Sequence, residues 1–262
     1  MDGHSTVDNP PTRSPLADNA PAENPRTDAP RTLVGICTYN EAGNIREMLT
    51  RVAAALPDAD ILVVDDGSPD GTAELVRQFA AQHSAPGNVN CHVREDRGLG
   101  GAIRAAMQTA ITERYQLFCN LDADLSHDPA DLPRLVQAVL ESDVDVAVGS
   151  RYVPGGQIHG WPTRRKWMSR FINSLAKRKA NLPVNDASGS FRCYRVACLE
   201  RLDWQAEWSN GYSFIQQILL RLKKLGATFT EVPITFTERV QGNSKLDLRE
   251  AVRSGWTVLR LS

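Results

Sequence analysis

From residue 32 onward, short apolar runs alternate with stretches of helical periodicity, and this alternation limits the fold more than any other feature. "TLVGICT" is followed by Ile45, Met48, Leu49, Val52 and Leu56, whose spacing gives one apolar helix face. "ILVVDD" is followed by Leu75, Val76 and Phe79 in the same manner. The pattern continues through "NVNCHV" with a helix from Gly98, "YQLFCNLD" with a helix after Pro129, and "VDVAVGS" before a glycine-rich loop. Parallel strands need crossover connections, and helices supply them. The expected fold class is therefore α/β, with a mostly parallel central sheet flanked by helices and no internal repeat.

In such sheets ligands bind at the carboxyl ends of the strands. The loops there are "TYNEAGN", "DDGSPDGT", "REDRGLGGA", "DADLSHDP" and "GSRYVPGG", and acidic or glycine residues recur in all five. A dinucleotide-binding fingerprint would follow the first strand, but "TYNEAGN" lacks it. Gly98, Gly100 and Gly101 come after the third strand, where close helix packing is the expected role.

"CNLDADLSHDP" sets Asp122 and Asp124 just past an apolar run. If the chain stays extended, residues i and i+2 project to the same side. Two carboxylates about 5 Å apart repel by roughly 3 kcal/mol at an effective dielectric near 20, so the pair calls for a cation or a shared proton. A calcium-binding loop starting at Asp122 would need Gly and Glu where His127 and Pro133 stand. The two remaining readings are a metal pair and a solvated turn before a helix opened by Asp128-Pro129.

Residues 1–30 contain six prolines among Asp, Asn, Thr and Ala, with Val7 and Leu16 the only branched aliphatics, and are expected to form a disordered tail. The stretch has no apolar core with a small-residue cleavage site. Residues 31–262 are expected to form one domain ending in a helix. A formal charge of −1 implies no bulk attraction to nucleic acid. Five scattered cysteines predict buried free thiols and no zinc site, so any metal would be bound through oxygen. No apolar stretch reaches the length of a membrane span.

"TYNEAGN", "VVDDGSPDGT", "GLGGA", "LDADLSHDP", "GSRY", "ASGSFRCYR", "GYSF" and "EVPITFTERVQGNSK" occur in this order between about residues 32 and 246. Together they resemble the dolichol-phosphate mannose synthases, glycosyltransferases of family 2 with a GT-A fold. The resemblance implies that Cys37, Tyr39, Glu41, Val64 and Asp66 line a guanosine pocket. It also implies that Asp122, Ala123 and Asp124 meet the donor diphosphate, the two carboxylates through Mg²⁺ or Mn²⁺. Arg151, Arg239 and Lys245 would contact phosphates or sugar, with Asp122, Asp124, Arg151 and Arg239 serving the transfer itself. Arg239 and Lys245 flank Gly242 in a polar loop suited to a mobile lid.

Two positions depart from the family pattern. Cys37 stands where Pro is usual, and "GYSFIQQ" places Ile215 and Gln217 where many members carry Gln and Glu.

The implied activity is inverting transfer of mannose from GDP-mannose to a polyprenyl (dolichyl) phosphate at the cytoplasmic face of a membrane. Alternatives are a UDP-sugar donor, such as the glucose version, or a non-catalytic nucleotide-sugar binding subunit. Oligomeric state, lipid length and any membrane-spanning partner leave no signature in these motifs. In "WPTRRKWMSRFINSLAKRKA", Trp167, Met168, Phe171, Ile172 and Leu175 share a helix face, and seven Lys or Arg residues occur with no acid. This helix either lies on a bilayer surface or packs its apolar face into the core with a solvated basic side.

Overall fold

A computed structural model of the chain describes residues 29–238. The expected tail falls outside these residues except for its last two positions, as do Arg239, Lys245, the rest of the expected lid and the expected C-terminal helix.

The first half of the chain is a β-α alternation. β1 (Thr32–Thr38), α1 (Ile45–Ala55), β2 (Asp60–Asp65), α2 (Thr72–Gln82), β3 (Val89–Val93), α3 (Leu99–Thr112) and β4 (Leu117–Asp122) follow one another. α1 buries Ile45, Met48, Leu49 and Val52, the face that the periodicity marks. All six residues of β2 are buried, which is why it reads as an unbroken apolar run capped by acids.

The second half adds α4 (Leu132–Glu141), β5 (Val146–Ser150), β6 (Gln157–His159), α5 (Thr163–Ala180), β7 (Arg192–Arg195), α6 (Val196–Glu200), α7 (Ser213–Lys224), β8 (Phe229–Pro233) and β9 (Thr235–Thr237). Seven strands form one sheet in the order β3-β2-β1-β4-β7-β5-β8. All pairings in it are parallel except those of β7, which runs antiparallel to both β4 and β5. β6 and β9 form a separate parallel pair.

Two hydrophobic clusters cover the faces of the sheet. One gathers Leu33, Val64, Ile103, Met107, Phe118, Tyr194, Phe214 and Leu219, between the sheet and α3, α6 and α7. The other gathers Val34, Ile36, Met48, Val63, Leu121, Leu135 and Phe191, between the sheet and α1, α2 and α4. Each fully buried aliphatic or aromatic side chain contributes about 1.5–3 kcal/mol, so the sheet is a rigid platform for whatever its strand ends carry.

The topology decides where that is. From β1 the chain winds outward through β2 to β3, then returns across α3 to place β4 on the other side of β1. The carboxyl ends of β1 and β4 therefore flank the switch point, the place where open α/β sheets form a ligand crevice. In this register Cys37 lies opposite Asp122 on one side and Val64 on the other.

Candidate active site

A cavity of about 300 Å³ opens at the switch point, lined by residues that include Cys37, Tyr39, Glu41, Asp66, Asp122, Ala123 and Asp124. Residues scattered over 88 positions of sequence thus meet in one place because the ends of three strands, β1, β2 and β4, converge there. Val64 does not line the cavity. Its side chain is fully buried in the core, and only its register partner Cys37 reaches the opening.

Asp122 and Asp124 come together differently from the extended-chain expectation. β4 ends at Asp122 and the backbone turns at Ala123, with Leu125 at φ 60. The turn, not the strand pleat, brings Asp124 to the cavity. Ser190 Oγ donates to Asp122 Oδ2 at 2.7 Å, and the backbone N–H of Ser126 donates to Asp124 Oδ1 at 3.0 Å, so both carboxylates are held in place. The helix-start role belongs to Asp128, whose Oδ1 accepts from the Ala130 N–H at 3.0 Å.

The donor set fits a hard divalent cation. Among the described residues no group of three or more His, Cys, Asp or Glu side chains gathers to hold a metal. Two carboxylates on a cavity wall suit an ion that completes its shell with water and ligand phosphate oxygens, as Mg²⁺ commonly does.

The acids of "VVDDGS" divide their roles. Asp65 is fully buried and accepts from Thr38 Oγ1 and from the N–H and Oγ of Ser68, so it is the turn residue. Asp66 faces the cavity, where Arg94 Nη1 at 2.9 Å and the Gly98 N–H at 2.7 Å fix its two oxygens. Burial raises the Asp66 carboxyl above its ordinary range, and the Gly98 amide and Arg94 oppose the shift only in part. The Cys37 thiol is likewise pushed well up, first by burial and then by Asp122 and Asp66, so it stays protonated at neutral pH.

The cavity has further walls, from residues that lie in or beside the "GLGGA" and "GYSF" motifs but were given no site role by them. Arg97, Leu99, Ala102, Gly211 and Tyr212 line it, and the Arg97 guanidinium sits 4.4 Å from the centroid of the Tyr39 ring. The glycines of "GLGG" allow close packing, as expected. A Cβ at Gly98 would meet Asn210 O at 2.5 Å, and one at Gly100 would meet Ser209 O at 2.3 Å. Gln217 is buried and turns inward to the loop before α7.

Arg151 lies apart from this cavity. It is buried in a bidentate pair with Asp186 and also donates to Ser188 Oγ at 2.9 Å. It lines a second cavity of about 270 Å³ with Tyr152, Lys166, Trp167 and Arg170. His127 is buried, its ring against Phe191 and Phe236 and its Nδ1 without a hydrogen-bond partner.

α5 inverts the usual arrangement of an amphipathic helix. Trp167 is 71% and Phe171 69% exposed, and Met168 and Leu175 are exposed as well. The helix is held inward by polar groups. Tyr152 Oη and Ser169 Oγ are hydrogen-bonded at 2.6 Å, while Asn173 donates to Ser188 Oγ and accepts from the Ala187 N–H, both at 3.0 Å. The core-packed alternative fails for these four apolar residues. Among the described residues no helix is long and apolar enough to cross a membrane.

A doubly wound sheet with paired carboxylates in a crevice at its switch point defines an α/β domain of the nucleotide-binding kind. Residues 33–203 match the model of glycosyl transferase family 2, and the chain belongs to that family. It is 41% identical over 236 residues to the polyprenol monophosphomannose synthase of Mycolicibacterium smegmatis, covering 88% of each chain. Identity to the undecaprenyl-phosphate mannosyltransferase of Micrococcus luteus is 39% over 216 residues, covering 82% of this chain and 87% of the other. Among solved structures, a mannosyltransferase from Pyrobaculum calidifontis in complex with GDP-mannose and Mn²⁺ superposes with a TM-score of 0.58. The match is 22% identical and covers 82% of this chain and 58% of that one. The architecture is the GT-A fold that the motifs led us to expect.

Proposed function

We propose that this chain transfers mannose from GDP-mannose to a polyprenyl phosphate, with inversion at the anomeric carbon, while resting peripherally on the cytoplasmic face of a membrane. One observation carries the reading: Asp122 and Asp124 meet in the switch-point cavity of a chain whose curated relatives are named for polyprenyl-phosphate mannosyl chemistry. Asp122 and Asp124 would hold Mg²⁺ or Mn²⁺, and the bound ion supplies charge stabilisation for a diphosphate leaving group. Tyr39, Glu41 and Asp66 take the nucleoside from the facing wall, with Cys37 at its edge and Ala123 beside the diphosphate. Arg239 and Lys245, beyond the described residues, are assigned to the donor phosphates or sugar.

The acceptor side needs little further chemistry. A phosphate monoester has a second pKa near 6, so its oxygen is already a nucleophile at neutral pH and no general base is required. The second cavity, with Arg151, Lys166 and Arg170 on its walls, offers positive charge for that phosphate. The outward Trp167 and Phe171, among the basic residues of α5, give a surface for the lipid in which the acceptor is embedded.

A panel of labelled sugar nucleotides with polyprenyl phosphate and Mn²⁺ tests the reading. Solvent-extractable label is expected from GDP-mannose. Label from UDP-glucose instead would reassign the donor, and transfer from none of the donors would leave a binding subunit.

A further inference from the structure

The wall of the switch-point cavity formed by Gly211 and Tyr212 belongs to the loop that precedes α7, and that loop is wedged between two helices. On the α3 side, Asn210 O accepts from the Gly100 N–H at 3.0 Å, and Asn210 Nδ2 donates to Arg97 O at 2.8 Å. On the α7 side, one side chain ties down two points of the loop. Gln217 Oε1 accepts from the Ser209 N–H at 2.8 Å, and its Nε2 donates to Glu207 O at 3.0 Å. The Arg221 guanidinium, one turn further along α7, also donates to Glu207 O and lies 4.0 Å from the centre of the Trp208 ring.

Gln217 is 5% exposed and does not line the cavity. Its two bonds need one acceptor and one donor at the tip of a side chain of this length, which an amide provides and a carboxylate does not. A carboxylate would keep the bond from Ser209, lose the bond to Glu207 O, and set its charge against that carbonyl dipole. We propose that Gln217 is a positioning residue for donor binding: its amide holds loop 207–212 in the closed geometry that completes the cavity wall at Gly211 and Tyr212. Donor affinity then depends on a residue that touches no donor atom. The proposal rests on the reading of this cavity as the nucleotide-sugar site.

The test measures GDP binding in the presence of Mn²⁺ by calorimetry, together with steady-state kinetics, for wild type, Gln217→Glu and Gln217→Met. Failure of the wild-type chain to bind either GDP or UDP would remove the reading of the cavity and this proposal with it. With wild-type binding in place, both variants are expected to bind GDP about tenfold more weakly, the scale set by the loss of side-chain hydrogen bonds that hold the loop. The donor KM should rise in parallel, with kcat at saturating donor within about twofold and the KM for polyprenyl phosphate unchanged. A merely structural role would lower melting temperature and kcat while leaving the donor KM in place, and that outcome would overturn the proposal. Gly100→Ala pushes on the same loop from α3 and should give the same split. It serves as the deciding variant if neither substitution at position 217 folds, and an unchanged donor KM there counts against the loop.

Discussion

Arg151 and Asp186 form a buried bidentate ion pair, Nε to Oδ2 at 2.7 Å and Nη2 to Oδ1 at 2.8 Å. Burial by itself pushes the Asp186 carboxyl up, but the charge and hydrogen bonds of Arg151 hold it below its ordinary range. The pair presents the arginine to the second cavity in one orientation. Asp186→Asn leaves a buried guanidinium without its counter-charge, and such losses cost about 3–5 kcal/mol. We expect a large fall in melting temperature and a raised KM for the lipid acceptor in whatever fraction folds. A melting curve within a degree or two of wild type would mean that water or another group compensates the charge.

Asp122→Asn and Asp124→Asn are each expected to abolish transfer at saturating Mn²⁺ or Mg²⁺ while leaving the melting temperature near that of wild type. Asn can still accept from Ser190 or from the Ser126 amide, so these two hydrogen bonds survive. Wild-type turnover in either variant would remove the metal pair from the mechanism.

The stability of the fold should depend on His127 in mildly acidic solution. Burial, followed by the charge of Arg151, pushes its imidazole from 6.5 down to about 4. Between these values the unfolded chain binds a proton that the folded chain does not, so stability rises with pH across the window and is lost as pH falls from 6.5 towards 4. The linkage amounts to about 3 kcal/mol at most. His127→Phe keeps a ring against Phe191 and Phe236 and should flatten this slope. Urea midpoints at pH 5 and pH 7 check it, and an equal pH dependence in the two proteins would assign the slope elsewhere.

The outward face of α5 makes a pair of opposed outcomes available. Replacing Trp167 and Phe171 by Ser removes two exposed aromatic rings, and exposed substitutions usually stay within about 0.5 kcal/mol. Binding to anionic vesicles should weaken and the KM for the lipid acceptor should rise, while the melting curve is nearly unmoved. Unchanged co-sedimentation with vesicles would detach this helix from the membrane.

GDP with Mn²⁺ at about 100 times its dissociation constant should stabilise the chain by roughly 2.7 kcal/mol, several degrees in melting temperature, and UDP should do less. A larger shift with UDP would change the donor base.

The parallel half of the sheet was legible in the sequence because strands buried on both faces must be apolar almost throughout, and β1, β2 and β4 are. The acids at the strand ends were legible for the same reason, as carboxylates that interrupt such runs have few places to go but the rim. β7 left no comparable trace. It is four residues long with an arginine at each end, and Arg192 is buried only because Ile215 O and Ala187 O accept from its guanidinium. Those partners come from other segments of the chain, so only the fold shows that this position can tolerate a charge. Arg151 is the same case at greater distance: its partner Asp186 is 35 residues away, and nothing in the local pattern around either residue pairs them. α5 shows a different limit. Periodicity marks which residues share a helix face, but it is blind to whether that face turns in or out. Here the choice was made by Ser169 and Asn173, whose hydrogen bonds to Tyr152, Ala187 and Ser188 hold the polar side inward and leave the aromatic residues in solvent.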